Sequence, residues 1–280
     1  MSVTPRALIL RAAQRLRSAG IPDATNDAAL LLAHLTQREA LPLRLDTDTN
    51  LSDALVQQYD GLILQRANRV PLQWLTGHQS FCGLDFRVTP DVLIPRPETA
   101  LLAERSIALG RSQPDFSLLD LCCGSGCIAV TCALALPGAR VTACDDSRPA
   151  LEVAEDNARR LGASVSFRQG DLLNAVPDQR FHLIASNPPY IPSGDCPELQ
   201  PEVRREPLLA LDGGADGLDF YRRIAREAPA HLYKGGALLL EVGMGQAEAV
   251  TRLLRAGGFE DISVTDDLAG IPRMVEGHIS

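Results

Sequence analysis

Residues 187–190 read Asn-Pro-Pro-Tyr and follow an apolar run, Phe181-His182-Leu183-Ile184-Ala185. The pattern predicts a buried strand ending in a stiff loop with polar groups at its tip. Asn187 offers a side-chain carbonyl as acceptor. Pro188 offers a backbone carbonyl stiffened by Pro189, because each proline fixes its own φ and restricts the residue before it. Tyr190 supplies a flat wall for a planar group. Two acceptors and a wall suit a flat NH2 group. The lone pair of an amide or aromatic amine is delocalised, so the nitrogen is a poor nucleophile. Accepting hydrogen bonds from both N–H groups raises its electron density and aims it at an electrophilic methyl carbon. No general base is required beforehand, since the nitrogen becomes acidic only as the methyl arrives. Asn187, Pro188, Pro189 and Tyr190 are therefore the candidate catalytic and substrate-binding residues. Asn-Pro also begins ordinary turns, so the tetrapeptide gains meaning only from its surroundings.

A second constellation precedes it. Asp120-Leu121-Cys122-Cys123-Gly124-Ser125-Gly126 follows a predicted strand. Gly124 and Gly126 can take positive φ and let a ligand approach the backbone. A Gly-x-Gly is weak evidence alone. The next strand ends in Asp145, whose carboxylate can accept both hydroxyl protons of a ribose; a turn or cap is the plainer reading, with Asp146 and Ser147 following. After the third strand come Gly170-Asp171-Leu172, where Asp171 can accept from an adenine amino group and Leu172 can pack on the ring. No second phosphate site is evident, and a dinucleotide's third loop glycine is Ala129. A ligand with adenosine and no phosphate fits better, namely S-adenosylmethionine. Thr99 and Glu98 are expected to line its pocket, although helix capping accounts for them nearly as well.

The elements that must hold these residues divide the chain. Residues 1–72 read as a small helical domain, with helices over about 5–19 and 26–37 and a third starting at the N-cap Ser52. A substrate-docking role is the expectation for it. Residues 73–95 change character: Trp74-Leu75 and Phe81 to Val88 carry β-formers with Gly77 and Gly83, which suggests a β-hairpin linker. Pro97-Glu98 then begin a helix to about Leu109. Over 96–280 apolar runs alternate with helical patterns. Strands are expected at 118–121, 140–144, 165–167, 181–185 and 237–242, and helices at 127–136, 148–161, 217–233 and 246–256. That alternation predicts an α/β doubly wound, mostly parallel sheet. The stretches 259–264 and 274–276 have no helix between them and suggest an antiparallel pair at the sheet edge.

Bulk properties narrow the classes. The net charge of −8 gives no basic footprint, which argues against a general nucleic-acid binder. No apolar stretch reaches the roughly 18–20 residues of a membrane span. Seven cysteines, an odd count without C-x-x-C, fit free thiols in a reducing, cytoplasmic compartment, and no metal site is expected. Arg6, Arg11, Arg15 and Arg17 without an acid among the first 22 residues look like a transit segment. An amphipathic helix burying Leu8, Ile9, Ala12, Ala13 and Leu16 is the preferred reading. Of the 27 basic residues only Lys234 is lysine.

The chain resembles the peptide chain release factor glutamine N5-methyltransferases along nearly its whole length. The resemblance is carried by Leu93-Ile94-Pro95-Arg96-Pro97-Glu98-Thr99, the 120–126 loop, Ser186 to Ile191, Glu206-Pro207 with 211–221, and 267–273. It implies an N-terminal helical domain, a hairpin linker and a class I S-adenosylmethionine-dependent methyltransferase domain. It also implies methyl transfer to the glutamine amide of the Gly-Gly-Gln loop in release factors. By the resemblance, Asn187, Pro188 and Tyr190 bind that glutamine, and residues 122–126, Asp145, Leu172 and Asn187 contact the cofactor. Many members have glycine where this chain has Cys122, which puts the local backbone path in question. The sister family acting on a large-subunit ribosomal protein shares the tetrapeptide; the Arg96–Thr99 run favours the release-factor family. An adenine-N6 methyltransferase and a non-catalytic docking module are the remaining alternatives.

Overall fold

The computed structural model describes residues 3–280 and divides them into two compact units. The first comprises residues up to His78 together with Gln200–Arg205. Its helices are α1 (Pro5–Ser18), α2 (Ala24–Thr36), α3 (Ala40–Leu45), α4 (Asp53–Ala67) and α5 (Leu72–Thr76). Thr4 caps α1 and Ser52 caps α4, each side chain accepting from a first-turn amide. Leu8, Leu16, Leu31, Leu32, Leu43, Tyr59 and Ile63 form the core. The Tyr59 hydroxyl donates to the Ala28 carbonyl at 2.8 Å, which satisfies the one polar atom this ring buries. Arg66 is buried with Asp27 at 2.7 Å and with Glu202 at 2.8 Å. The basic face of α1 is the exposed side of an amphipathic helix, as preferred above. Two short helices, α3 and α5, are additional to the three expected. Trp74 and Leu75 lie in α5, not in a strand: Gly77, at φ 81°, closes that helical turn before the hairpin starts.

The second unit spans Gln79–Leu199 and Glu206–Ser280. It opens with the hairpin β1 (His78–Phe81) and β2 (Leu84–Arg87). A one-turn 3₁₀ segment, Pro97–Thr99, leads into α6 (Ala100–Gly110). Next come β3 (Ser117–Leu121), α7 (Cys127–Ala135), β4 (Arg140–Asp145), α8 (Arg148–Leu161), β5 (Ser166–Gln169) and β6 (Phe181–Ser186). The remainder is α9 (Asp219–Glu227), β7 (Leu232–Glu241), α10 (Ala247–Ala256), β8 (Glu260–Asp266) and β9 (Pro272–His278). The seven strands order β5-β4-β3-β6-β7-β9-β8, parallel from β5 to β7, with β9 antiparallel to both β7 and β8. This is the doubly wound sheet with an antiparallel edge that the alternation predicts. The expected 217–233 helix ends earlier, because Pro229 cannot continue it and a 3₁₀ turn takes over at Ala228. Strand β7 begins five residues sooner than its apolar run, with exposed Tyr233 and Lys234 at its start. Both sheet faces are covered, and β3 is wholly buried. Among the described residues no helix is long and apolar enough to cross a membrane.

Candidate active site

The strand order reverses at β3, where β4 lies on one side and β6 on the other, so the carboxyl ends of these strands frame a crevice. A cavity of about 340 Å³ opens there. Cys122 to Ser125, Asp145, Asp171, Leu172, Asn187 and Thr99 all line it, which brings together most of the residues singled out by sequence. Gly126, Pro188 and Tyr190 are not in its wall.

The loop after β3 is held by its neighbours. The Asp145 carboxylate accepts from the Gly124 amide at 2.9 Å and from the Ser147 amide at 2.9 Å. Burial pushes the Asp145 carboxyl up, and these two amide bonds oppose the shift. Each oxygen keeps lone-pair capacity toward the cavity. Gly124 has φ +52°, and a Cβ there would meet nothing, so the loop leaves open space beside its backbone. Cys122 takes φ 63°, the left-handed conformation that glycine tolerates best, so replacing glycine by cysteine leaves a glycine-type path. Its thiol and that of Cys123 are pushed well above the ordinary range, chiefly by burial. Asp120 is completely buried; one oxygen accepts the Ala129 amide at 2.9 Å and the other has no partner. Desolvation pushes its carboxyl up to about 7.

The adenine-side candidates are more mixed. Leu172 has φ 51° and is buried in the cavity wall. Asp171, half exposed, forms an ion pair with Arg223 at 2.7 Å, so one of its oxygens already has a cationic partner.

At the tip of β6 the Ser186 hydroxyl donates to the Leu121 carbonyl at 2.6 Å and ties the two strand ends together. Asn187 Nδ2 donates to Thr99 Oγ1 at 3.3 Å. Tyr190 is packed from behind. A Cβ on Gly213 would fall 2.7 Å from the Tyr190 Cα, so only glycine lets that segment close on the loop. Gln246 donates to the Tyr190 carbonyl at 2.8 Å and accepts the Gly243 amide at 3.0 Å.

Several supporting contacts are not legible in the sequence, although Glu206 itself is one of the residues that carry the resemblance. Asn157 of α8, fully buried, donates to the carbonyls of Ser125 and Arg87 at 3.0 Å each and accepts the Arg87 amide at 2.7 Å. It joins the Gly-rich loop to β2. Glu206 accepts the Ile94 amide at 2.9 Å and Arg96 at 2.6 Å, fixing the run ahead of α6. Glu241, at the end of β7, is buried beside Thr99. A polar residue inside an apolar helix face was the one available signal for Asn157. Glu241 and Gln246 bracket a short Gly-containing turn, a pattern too common to single out.

Comparison with known proteins gives the same frame. Residues 7–77 match the family described as the PrmC N-terminal domain, and residues 99–197 match the methyltransferase small domain. The chain is 45% identical over 265 residues to a release factor glutamine methyltransferase of Geobacter sulfurreducens, covering 94% of this chain and 93% of that one. It is 45% identical over 274 residues to the enzyme of that name from Cereibacter sphaeroides, covering 96% and 97%. The crystal structure of a methyltransferase from Pyrococcus furiosus superposes with a TM-score of 0.54 at 17% identity, covering 79% of this chain and 98% of that one, which bears on the fold alone. With such identity sustained across both units, the chain belongs to the release factor glutamine methyltransferase family.

Proposed function

We propose that this protein transfers a methyl group from S-adenosylmethionine to the side-chain amide nitrogen of the glutamine in the Gly-Gly-Gln loop of peptide chain release factors. The reading is carried by one juxtaposition: Asn187, on the Asn-Pro-Pro-Tyr loop, and Asp145, on the Gly-rich loop's carboxylate anchor, line the same cavity.

The cavity suits the cofactor. Asp145 retains acceptor capacity for the two hydroxyls of a ribose, and Gly124 leaves its side of the loop open. Asp91, Asp145, Asp146 and Asp171 outnumber Arg96 and Arg223 in the wall, a balance that favours a cationic ligand. Bound there, S-adenosylmethionine supplies an electrophilic methyl carbon on a sulfonium.

The chain's own residues supply orientation. Asn187 Oδ1 and the Pro188 carbonyl accept the two N–H bonds of the substrate amide. Pro189 limits the freedom of the Pro188 carbonyl, so little reorganisation is needed at the moment of transfer. Tyr190 packs against the flat amide group. The helical unit of residues 1–72, with the hairpin of 73–95 as linker and residues 96–280 as the catalytic domain, docks the release factor in this proposal.

The test is methyl transfer with purified release factor, read as the mass of the tryptic peptide bearing the Gly-Gly-Gln loop. One added methyl on that glutamine is expected. Methylation of a ribosomal protein or of adenine instead, with the release factor untouched, would transfer the assignment to those substrates.

A further inference from the structure

A second groove, of about 520 Å³, lies at the amino ends of the strands, away from the crevice at their carboxyl ends. Its floor is one face of the sheet. Ser117 pairs in register with Arg140, and Thr142 with Ser166, so these residues and Arg168, two further along β5, share that face. Farther along β3 and β4 the same face carries Leu119, Leu121 and Cys144 into the core. At the groove it is uncovered, because β5 and β6 are joined by a single 3₁₀ turn, Leu172–Ala175, where parallel strands are ordinarily joined by a helix.

The uncovered face is strongly cationic. Arg140, Arg168 and Arg180 line the groove against one carboxylate, Asp178, in a chain whose net charge is −8. Arg140 and Arg168 each donate to a backbone carbonyl, of Asp115 at 3.2 Å and of Phe167 at 2.8 Å. Among the described residues none of the three arginines is ion-paired, so their remaining donors stay available. Solvating a strand face needs only polar groups, of either sign. Three guanidiniums, with the register pair Thr142 and Ser166 set between Arg140 and Arg168, suit phosphate oxygens. At the wall stands Tyr233, 39% exposed. The His182 ring backs it at 4.7 Å between centres. His182 is fixed in turn: its Nδ1 accepts the Ser117 amide at 3.1 Å and its own amide donates to the Ser117 hydroxyl at 3.2 Å. A supported, exposed ring beside an anion site is a platform for a flat base.

We infer that this groove binds a nucleoside diphosphate, its phosphates held by Arg140, Arg168 and Arg180 and its base stacked on Tyr233. The volume falls within the roughly 300–1,000 Å³ of small-ligand sites. A free nucleotide fits better than a nucleic-acid strand, because a chain of net charge −8 repels a long polyanion that runs beyond the groove.

Isothermal titration calorimetry of uridine diphosphate into the full-length chain tests this, with and without S-adenosylhomocysteine. The pyrimidine is chosen because it lacks the adenine expected in the crevice. One site per chain is expected, with the same affinity in both conditions and weaker binding as salt rises. Arg168→Ala and Arg180→Ala should each weaken binding about tenfold. Tyr233→Ala should do so by about tenfold as well, while leaving the affinity for inorganic pyrophosphate within about twofold. All three side chains are exposed, so the variants should melt with the wild type. No binding, equal binding by the wild type and the arginine variants, or loss of binding once S-adenosylhomocysteine is present would overturn the inference. Pyrophosphate binding as tightly as uridine diphosphate, with Tyr233→Ala without effect, would remove the nucleoside and overturn it too. So would a uridine oligonucleotide that binds more than about tenfold tighter than the diphosphate, since the groove would then belong to a strand. None of these readouts involves a methyl acceptor, so failure of methyl transfer to release factor would leave the inference standing.

Discussion

Glu206 and Arg96 form an ion pair at 2.6 Å in which the carboxylate is almost wholly buried and the guanidinium is one-third exposed. The same carboxylate accepts the Ile94 amide, so one side chain fixes both the backbone and the cation of the segment that delivers Thr99 to the cavity. Removing it strands a buried amide and frees Arg96. Glu206→Ala should lower the unfolding free energy by about 2–4 kcal/mol, short of a fully buried pair because Arg96 can rehydrate. Urea denaturation followed by circular dichroism gives the number. The KM for the cofactor should rise in parallel, since Arg96 and Thr99 belong to the cavity wall.

Asn187→Ala and Asp145→Ala should fail in opposite ways. Without the Asn187 carbonyl, turnover should drop about a hundredfold or more, the cost of one preorganised acceptor, while cofactor binding by calorimetry falls much less. Equal turnover in this variant and the wild type would contradict the assigned role.

Asp145→Ala should instead weaken cofactor binding about ten- to a hundredfold, as expected for losing hydrogen bonds to a charged acceptor. Turnover at saturating cofactor should change only a few-fold. Titration calorimetry alongside saturation kinetics separates the two parameters. The Gly124 amide also loses its acceptor here, so part of the effect should appear as greater mobility of the 122–126 loop.

Asp120 makes stability pH-dependent. Its carboxyl is raised in the folded state from the ordinary 3.8 to about 7, chiefly by desolvation. Between those values the folded chain holds more protons than the unfolded one, so stability falls as pH rises through this window. Glu241, also raised to about 7, adds to the same slope. The melting temperature of the free protein should therefore decline from about pH 5 to pH 8. Asp120→Asn should reduce that slope, whatever it does to the absolute value, and an unchanged slope would count against the buried carboxyl as its source.

Cys122 and Cys123 should respond differently to glycine. Both would lose a packed side chain, but only Cys122, at φ 63°, would shed a left-handed strain of about 1–2 kcal/mol. Cys122→Gly should cost under about 1 kcal/mol, and Cys123→Gly about 2–3 kcal/mol. The comparison requires only two denaturation curves.

The parallel strands and their helices were readable because each apolar run is bounded by breakers. Helix α8, for instance, lies between the Ser147 cap and Gly162, and its predicted limits match the structure. The cavity was readable for a related reason: loops at strand ends carry residue types whose chemistry is local, such as Gly124, Asp145 and Asn187. Residues that act across long separations were not. Asn157 joins Arg87, 70 positions away, to Ser125, and Glu206 reaches back 112 positions to Ile94. Nothing near them in the chain marks those partners. Trp74 and Leu75 misled because β-forming side chains also fit one turn of helix when a glycine stands ready to end it.

Lys234 stands exposed at the opening of β7, whose far end is Glu241. A bulge at Gly235, with φ 77°, separates Lys234 from the regular strand that runs from Ala237 to Glu241. The protein thus carries its one side-chain amine on the rim opposite the catalytic crevice. Among the side chains, an amine-reactive dye would find this one position alone, at the end of β7 away from the crevice, and labelling it should leave methyl transfer unchanged.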